Sequence, residues 1–146
     1  MTFETMAKRL DGLGRVYLDA NIFIYLVEGE EKLSGAVIEL LEEADLLGVE
    51  LVTCEVTLTE CLIGAYKAQS EELAERYNAL ISEAGIVTPL PLDRILFQDA
   101  AKVAAAQRLK TVDALHFASA IHSGCDGFIS NDRGFRSVPG LKVISL

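Results

Sequence analysis

Four of the 22 acidic residues in this chain stand where a carboxylate could take part in chemistry. Asp19 ends a predicted strand, Asp132 directly follows another, and Glu60 and Asp113 fall in the first turns of predicted helices. In a parallel sheet the strand ends and the following helix starts share the edge at which such sheets bind ligands. We therefore expect the four carboxylates to converge. The predicted position of Asp113 is the least direct of the four, because its helix does not follow a strand.

Carboxylates that lie a few ångströms apart raise one another's pKa and destabilise the fold. A divalent cation removes this repulsion, and Mg²⁺, which prefers hard oxygen ligands and keeps several waters, suits an open carboxylate site. Beside a phosphate group such an ion lowers the pKa of a bound water and neutralises charge in the transition state. The pattern predicts a Mg²⁺-dependent phosphodiester hydrolase. The sequence contains no GxSxG, GxxxxGK[ST] or GxGxxG motif that would indicate a different chemistry.

Each acid also has a structural interpretation. Asp19 is a suitable N-cap for the helix that follows it, and Glu60 completes a capping box with Thr57. Asp113 suits the positive end of a helix, and Asp132 suits a turn. The functional interpretation therefore rests on the joint pattern.

One histidine and a few basic residues lie near the same predicted edge. His116 follows Asp113 by three positions and so shares its helix face. It could assist a metal site or transfer protons, although packing among apolar neighbours is the interpretation we favour. A basic rim that contacts a phosphate backbone is also predicted, with scattered solvated charge as the alternative. Its members would be Arg15, Lys110, Arg133 and Arg136.

Strand-length apolar segments alternate with helical patterns along the chain, which predicts an α/β fold with a parallel sheet covered on both faces. The predicted strands are 15–18, 50–53, 86–88, 127–130 and 141–145. The predicted helices are 20–27, 31–47, 57–68, 70–84, 93–109 and 112–122. Residues 15–146 are expected to form one domain. Residues 1–14 are an N-terminal extension for which a short helix and a frayed tail are equally compatible.

Composition excludes several classes of protein. The 146 residues are 51% hydrophobic and carry a net charge of −9, which excludes a polycation that coats nucleic acid. The longest apolar run, 22–27, is far too short to cross a bilayer, and the first residues contain no secretory signal. The three cysteines are odd in number and lack a CxxC pair, which favours buried free thiols in a reducing cytoplasm.

The four acidic segments, in this order, resemble the PIN domain, and within it the VapC-type toxins of prokaryotic toxin–antitoxin pairs. The matching segments are 17–22 (YLDANI), 57–62 (TLTECL), 111–120 (TVDALHFASA) and 129–135 (ISNDRGF). Ser130 stands where the family often has threonine and keeps the hydroxyl. The resemblance covers nearly the whole chain from Arg15 onward, and the order of the four motifs is more specific than any one of them.

This resemblance implies a three-layer α/β/α sandwich around a parallel sheet of four to five strands, and an endoribonuclease that depends on Mg²⁺ or Mn²⁺. Asp19 and Asp113 would be the direct metal ligands, while Glu60 and Asp132 would hold metal-bound waters or a second ion. The residues that would orient the acids are Asn21, Ser130 and Asn131. Family members usually dimerise and are silenced by an antitoxin that covers or enters the acidic groove.

Two other functions are compatible with the same sheet. A catalytically silent PIN-like binding module is the main alternative, although all four acids are present. A phosphatase of the haloacid-dehalogenase type would require an Asp-x-Asp motif after the first strand, where this chain has Asp19-Ala20-Asn21.

Overall fold

The computed structural model describes residues 4–146. The strands in this part of the chain are β1 Arg15–Leu18, β2 Glu50–Cys54, β3 Thr88–Leu90, β4 Gly127–Ile129 and β5 Lys142–Ile144. The helices are α1 Met6–Leu10, α2 Ala20–Glu28, α3 Glu31–Leu47, α4 Glu55–Lys67, α5 Glu71–Asn78, α6 Arg94–Gln107 and α7 Thr111–His122. A π-helical segment, Ala79–Glu83, continues α5.

The five strands form one parallel sheet in the order β3-β2-β1-β4-β5. The chain first builds outward from β1 through β2 to β3 and then returns to add β4 and β5 on the other side. The order therefore reverses between β1 and β4, where Leu18 is paired with Ile129. Ligands of open parallel sheets bind at the carboxyl ends of the strands beside such a reversal, and Asp19 follows one of these two strands directly.

Alternate side chains of β1 enter different layers of the core, as the period of two in a strand requires. Leu18 packs with residues of α1 to α5 on one face of the sheet. Tyr17 packs on the other face, with Phe117 of α7 and Phe128 of β4. Helices therefore cover both faces, and the predicted three-layer α/β/α architecture is confirmed.

Most element boundaries agree with the sequence-based predictions to within two residues, and three differences have a structural cause or consequence. The third strand is Thr88–Leu90 rather than 86–88 and contains Pro89, which an edge strand tolerates because one of its sides needs no backbone donor. Helix α4 begins at Glu55, two residues earlier than predicted. The helix predicted over 70–84 changes to a π-helical geometry at Ala79.

The N-terminal segment packs against the domain as far as it is described. Thr5 caps α1, and Met6 and Leu10 are buried in the core on the side of α2 and α3. Residues 1–3 of the extension lie outside the described residues. No helix in the described range is long and apolar enough to cross a membrane. All three cysteines are free and buried.

Candidate active site

Asp19 stands between the end of β1 and the start of α2 and is almost completely buried. Its Oδ1 accepts a hydrogen bond from the Ala20 N–H at 2.9 Å, and its Oδ2 accepts one from the Ser130 hydroxyl at 2.6 Å. Asp19 is thus the N-cap of α2 and also a carboxylate held at the sheet edge, so the two interpretations of this residue are compatible. Burial raises its pKa, against the lowering effects of His116 and of these hydrogen bonds.

Glu60 is not part of a capping box. Since α4 begins at Glu55, Thr57 lies inside the helix and its hydroxyl is 2.6 Å from that of Thr53. The Glu60 side chain instead turns toward α7, where its Oε1 contacts His116 Nε2. About a third of this side chain is exposed.

Asp113 and Asp132 form the more open side of the site. Asp113 lies in the first turn of α7, as predicted, and is half-buried. Asp132 is exposed in the turn after β4, where its Oδ1 accepts the Gly134 N–H at 2.9 Å and its own N–H donates to Ser130 Oγ at 3.0 Å. The turn interpretation of Asp132 is therefore also correct.

The charges of these residues act on one another. Burial raises the pKa of Asp113, and the negative charges of Asp132, Asp19 and Glu60 raise it further, against the smaller lowering effect of His116. Asp113 is therefore close enough to the other three acids for their charges to affect it. Mutual repulsion at this edge is what a bound cation would relieve.

The donors at this edge fit a hydrated divalent cation. They are carboxylate oxygens, which Mg²⁺ and Mn²⁺ prefer. Within residues 4–146, no three carboxylate, imidazole or thiol groups are already arranged to hold a metal ion. Mg²⁺ usually uses only one or two carboxylates, with waters and phosphate oxygens completing its shell. Asn21 Oδ1 is buried and has no hydrogen-bond partner among the described residues, so a water of such an ion would satisfy it.

Ser130 connects the buried and open parts of the site. Its hydroxyl donates to Asp19 and accepts from both the Asp132 N–H and the Asn21 side-chain amide, the latter at 3.2 Å. This agrees with the orienting role expected for Ser130 and Asn21. Asn131 was expected to act in the same way, and its side-chain oxygen accepts the Leu146 N–H at 2.8 Å.

Tyr17 is a contributor that the sequence analysis missed. Its hydroxyl lies 2.7 Å from His116 Nδ1, and both side chains are fully buried. Burial lowers the pKa of His116, but its contacts with Cys54 and Glu60 and the charge of Asp19 raise it overall. His116 is therefore a bonded part of the site as well as a packed core residue. The sequence carries no signal for Tyr17, since an aromatic residue in a buried strand is ordinary core.

The basic residues divide into two groups. Lys110 precedes α7, and Arg133 and Arg136 are exposed in the segment between β4 and β5. Arg15 was placed in the same rim by the sequence analysis, and this is wrong. It begins β1 at the opposite edge of the sheet, where its guanidinium pairs with Glu50 at 3.0 Å and with the Ser123 carbonyl.

A groove of about 740 Å³ lies beside Asp132, the one of the four acids that lines it. Ser130, Asn131, Asp132 and Arg133 line one part of it, and Tyr25 and Leu146 line another. Asp132 and Arg133 therefore place one negative and one positive side chain at the wall of this groove.

The sheet order and the acidic edge define an α/β domain of PIN type, and sequence comparison agrees. A sequence model of the PIN domain matches residues 16–141. The chain belongs to the PIN domain family. It is 33% identical over 133 residues to a VapC ribonuclease of Mycobacterium bovis, and equally to ribonuclease VapC13 of Mycobacterium tuberculosis. Each alignment covers 89% of this chain and 99% of the relative.

Solved structures with the same fold include two toxin–antitoxin assemblies bound to DNA. VapBC2 of Rickettsia felis, bound to a promoter fragment, aligns with a TM-score of 0.67 at 13% identity, covering 90% of this chain and 98% of that one. DNA-bound VapBC of Salmonella typhimurium aligns with a TM-score of 0.64 at 19% identity, with the same coverage. At these identities the likeness establishes the fold.

Proposed function

We propose that this protein is the endoribonuclease toxin of a toxin–antitoxin pair and that it hydrolyses RNA phosphodiester bonds with the help of Mg²⁺ or Mn²⁺. The observation that supports the proposal is that the charges of Asp19, Glu60 and Asp132 act on Asp113 in a PIN-domain sheet. The names of the two mycobacterial relatives support the ribonuclease activity. A catalytically silent binding module would not need four acids held together against their own repulsion.

The site residues would have different roles in binding the cation. Asp19 and Asp113 would hold the cation directly, and Glu60 and Asp132 would hold its waters or a second ion. When bound, the cation acts as a Lewis acid and supplies a water of lowered pKa. Ser130 keeps Asp19 oriented through its hydroxyl.

The RNA backbone would approach from the groove beside Asp132. Arg133 and Lys110 would attract its phosphates at short range, although the protein as a whole is strongly acidic. Because the acids repel a phosphate in the absence of a cation, RNA binding at the edge is expected to require the metal.

The decisive test is cleavage of total RNA by the purified protein in Mg²⁺, with the cut ends mapped. We expect cleavage that stops when EDTA is added and that falls more than about 100-fold in Asp19→Asn, since metal ligands matter more than the groups that support them. Asp45→Asn, an exposed aspartate in α3, is the matched control and should cleave normally. Cleavage that survives both EDTA and Asp19→Asn would refute the proposal.

The partner proposals rest on the structural neighbours, which were solved as toxin–antitoxin complexes. We propose a cognate antitoxin that covers or enters the acidic groove. Co-expression with the product of an adjacent small reading frame should give a stable complex without ribonuclease activity. A complex that forms but cleaves RNA at the full rate would contradict an inhibitor at this groove.

A homodimer is proposed as the form of the free toxin. Large apolar side chains are exposed on the outer helices, including Ile95 and Phe97 of α6 and Val112 of α7. Sedimentation equilibrium should give twice the chain mass, and Phe97→Asp should shift it toward one chain. A parent protein that sediments as a monomer at micromolar concentration would refute the dimer.

A further inference from the structure

Two fully buried side chains lie directly beneath the acidic edge. Tyr17 comes from β1 in the centre of the sheet, and His116 comes from α7, which covers that face. The Tyr17 hydroxyl and His116 Nδ1 are 2.7 Å apart, and the other ring nitrogen, Nε2, faces Glu60 Oε1. The two residues therefore form a continuous chain of contacts from the core to a carboxylate of the site.

The direction of one of these hydrogen bonds follows from the donors available. An ionised carboxylate only accepts, so His116 Nε2 must donate to Glu60. The same nitrogen lies 3.4 Å from Asp19 Oδ1. One imidazole N–H therefore lies between two of the four acids, and it occupies a single oxygen of Glu60. The second Glu60 oxygen takes no part in this contact.

The imidazole ring is held at both nitrogens. Tyr17 is fixed by stacking on Phe128 with ring centroids 5.2 Å apart, and it meets the His116 ring edge-on at 5.8 Å. A rotation of the imidazole would break the contact with Tyr17 and the contact with Glu60 together. The core thus determines where the Nε2 donor points.

Glu60 depends on this contact, because within the described residues its carboxylate makes no other hydrogen bond. Asp19 is fixed by the Ala20 amide and Ser130, and Asp132 by the Gly134 amide. Glu60 has a longer side chain, about a third of it exposed. Without a fixed donor it would sample several rotamers, and a site for a hydrated ion loses affinity when its ligands are not held in place.

We propose that Tyr17 and His116 are positioning residues that hold Glu60 beside Asp19 in the arrangement that receives the divalent cation. This inference rests on the proposed function, since it assigns the buried pair a task in that metal site. Neither side chain reaches the surface, so neither contacts RNA. The alternative is that His116 merely fills space in the core.

Two substitutions of His116 separate these roles. Glutamine places its side-chain amide near the position of Nε2, so His116→Gln keeps a donor for Glu60. Asparagine is shorter and reaches only the position of Nδ1, so His116→Asn loses that donor while remaining a buried amide. We expect His116→Asn to weaken Mn²⁺ binding about 10–100-fold and His116→Gln to bind within about threefold of the parent. Isothermal titration with MnCl₂, without RNA, measures both.

Substitution of Tyr17 provides a second test that does not alter the imidazole. Tyr17→Phe removes only the hydroxyl that anchors His116 and should weaken Mn²⁺ binding about tenfold. Tyr77→Phe is the matched control, because Tyr77 is equally buried but its hydroxyl bonds Glu28 instead. Its Mn²⁺ affinity should equal that of the parent. This pair decides the question if His116→Asn does not fold.

RNA cleavage distinguishes the positioning role from core packing. A loss of activity caused only by a disturbed core would not be restored by adding Mn²⁺. At limiting Mn²⁺, kcat/KM for RNA should fall in Tyr17→Phe and His116→Asn, and saturating Mn²⁺ should restore much of it, whereas Tyr77→Phe should keep the parent's value throughout. If the parent neither binds Mn²⁺ nor cleaves RNA, the proposed function fails and the inference fails with it. If the parent does both, equal Mn²⁺ affinities in His116→Gln and His116→Asn, or in Tyr17→Phe and Tyr77→Phe, would overturn the inference alone.

Discussion

The two sides of the acidic edge are held in different ways. On the inner side, Asp19 and Glu60 receive hydrogen bonds from Ser130 and His116, side chains that are themselves buried. On the outer side, Asp132 is exposed and Asp113 is half-buried, and the pKa of Asp113 is raised by burial and by the neighbouring negative charges. The acids of the inner side thus receive hydrogen bonds from the folded protein itself. The outer side carries uncompensated charge, which a cation and its substrate would neutralise.

The largest effect is expected on the inner side, at Ser130. Ser130→Ala removes the donor to Asp19 Oδ2 and leaves a buried carboxylate oxygen without it. The free energy of unfolding should fall by about 1–3 kcal/mol, the usual result of leaving a buried polar group unsatisfied. Urea denaturation measures this change. Ser82→Ala, at an exposed position, should leave stability unchanged. If Ser130→Ala and the parent are equally stable, the hydrogen bond from Ser130 to Asp19 does not stabilise the inner side.

On the outer side, substitution of an acid should raise the stability of the metal-free protein rather than lower it. Asp113→Asn removes one of the repelling charges, so the metal-free variant should melt a few degrees above the parent at neutral pH. A raised carboxylate pKa means that the folded state binds a proton more readily than the unfolded state. The advantage of asparagine is therefore full above the raised pKa of Asp113 and shrinks as the pH falls through it.

Thermal melts in EDTA over a series of pH values measure this difference, with Asp45→Asn as the control. Adding Mg²⁺ should reduce the difference in melting temperature between Asp113→Asn and the parent, because Mg²⁺ stabilises only the parent, whose site is intact. A lower melting temperature for Asp113→Asn at neutral pH would show that Asp113 is not under repulsion from its neighbours.

The smallest effect is expected at the basic positions. Arg133→Gln should raise KM for RNA a few-fold at low salt and less at high salt, because exposed charges are screened. Arg15→Gln should leave KM unchanged, since Arg15 pairs with Glu50 at the opposite edge. Initial rates at two salt concentrations test both variants. Equal effects of the two substitutions would mean that phosphates are not attracted locally at the acidic edge.

The parallel sheet could be predicted from the sequence because it depends on local patterns. Short apolar strands between helices predict a parallel sheet, and its geometry alone brings Asp19 and Asp132 to one edge. Contacts between distant residues were not predictable in this way. His116 and Tyr17 are 99 positions apart, and only the packing of α7 on the sheet makes them neighbours.

Two errors have local physical causes. Glu60 was given a capping-box alternative because Thr57 precedes it by three residues, but α4 begins at Glu55 and so places Thr57 inside the helix. Arg15 was assigned to the acidic edge although it begins its strand. A strand of four residues is long enough to separate its first residue from the site at its other end.

The central claim is that this edge binds a divalent cation through its carboxylates. Crystals of the protein soaked in MnCl₂ would test it most directly, by anomalous diffraction at the manganese edge. We predict a peak within coordination distance of the Asp19 and Asp113 carboxylates, and no such peak in Asp113→Asn. A parent protein that cleaves RNA in Mn²⁺ but shows no peak at these carboxylates, or binds the ion elsewhere, would contradict the claim.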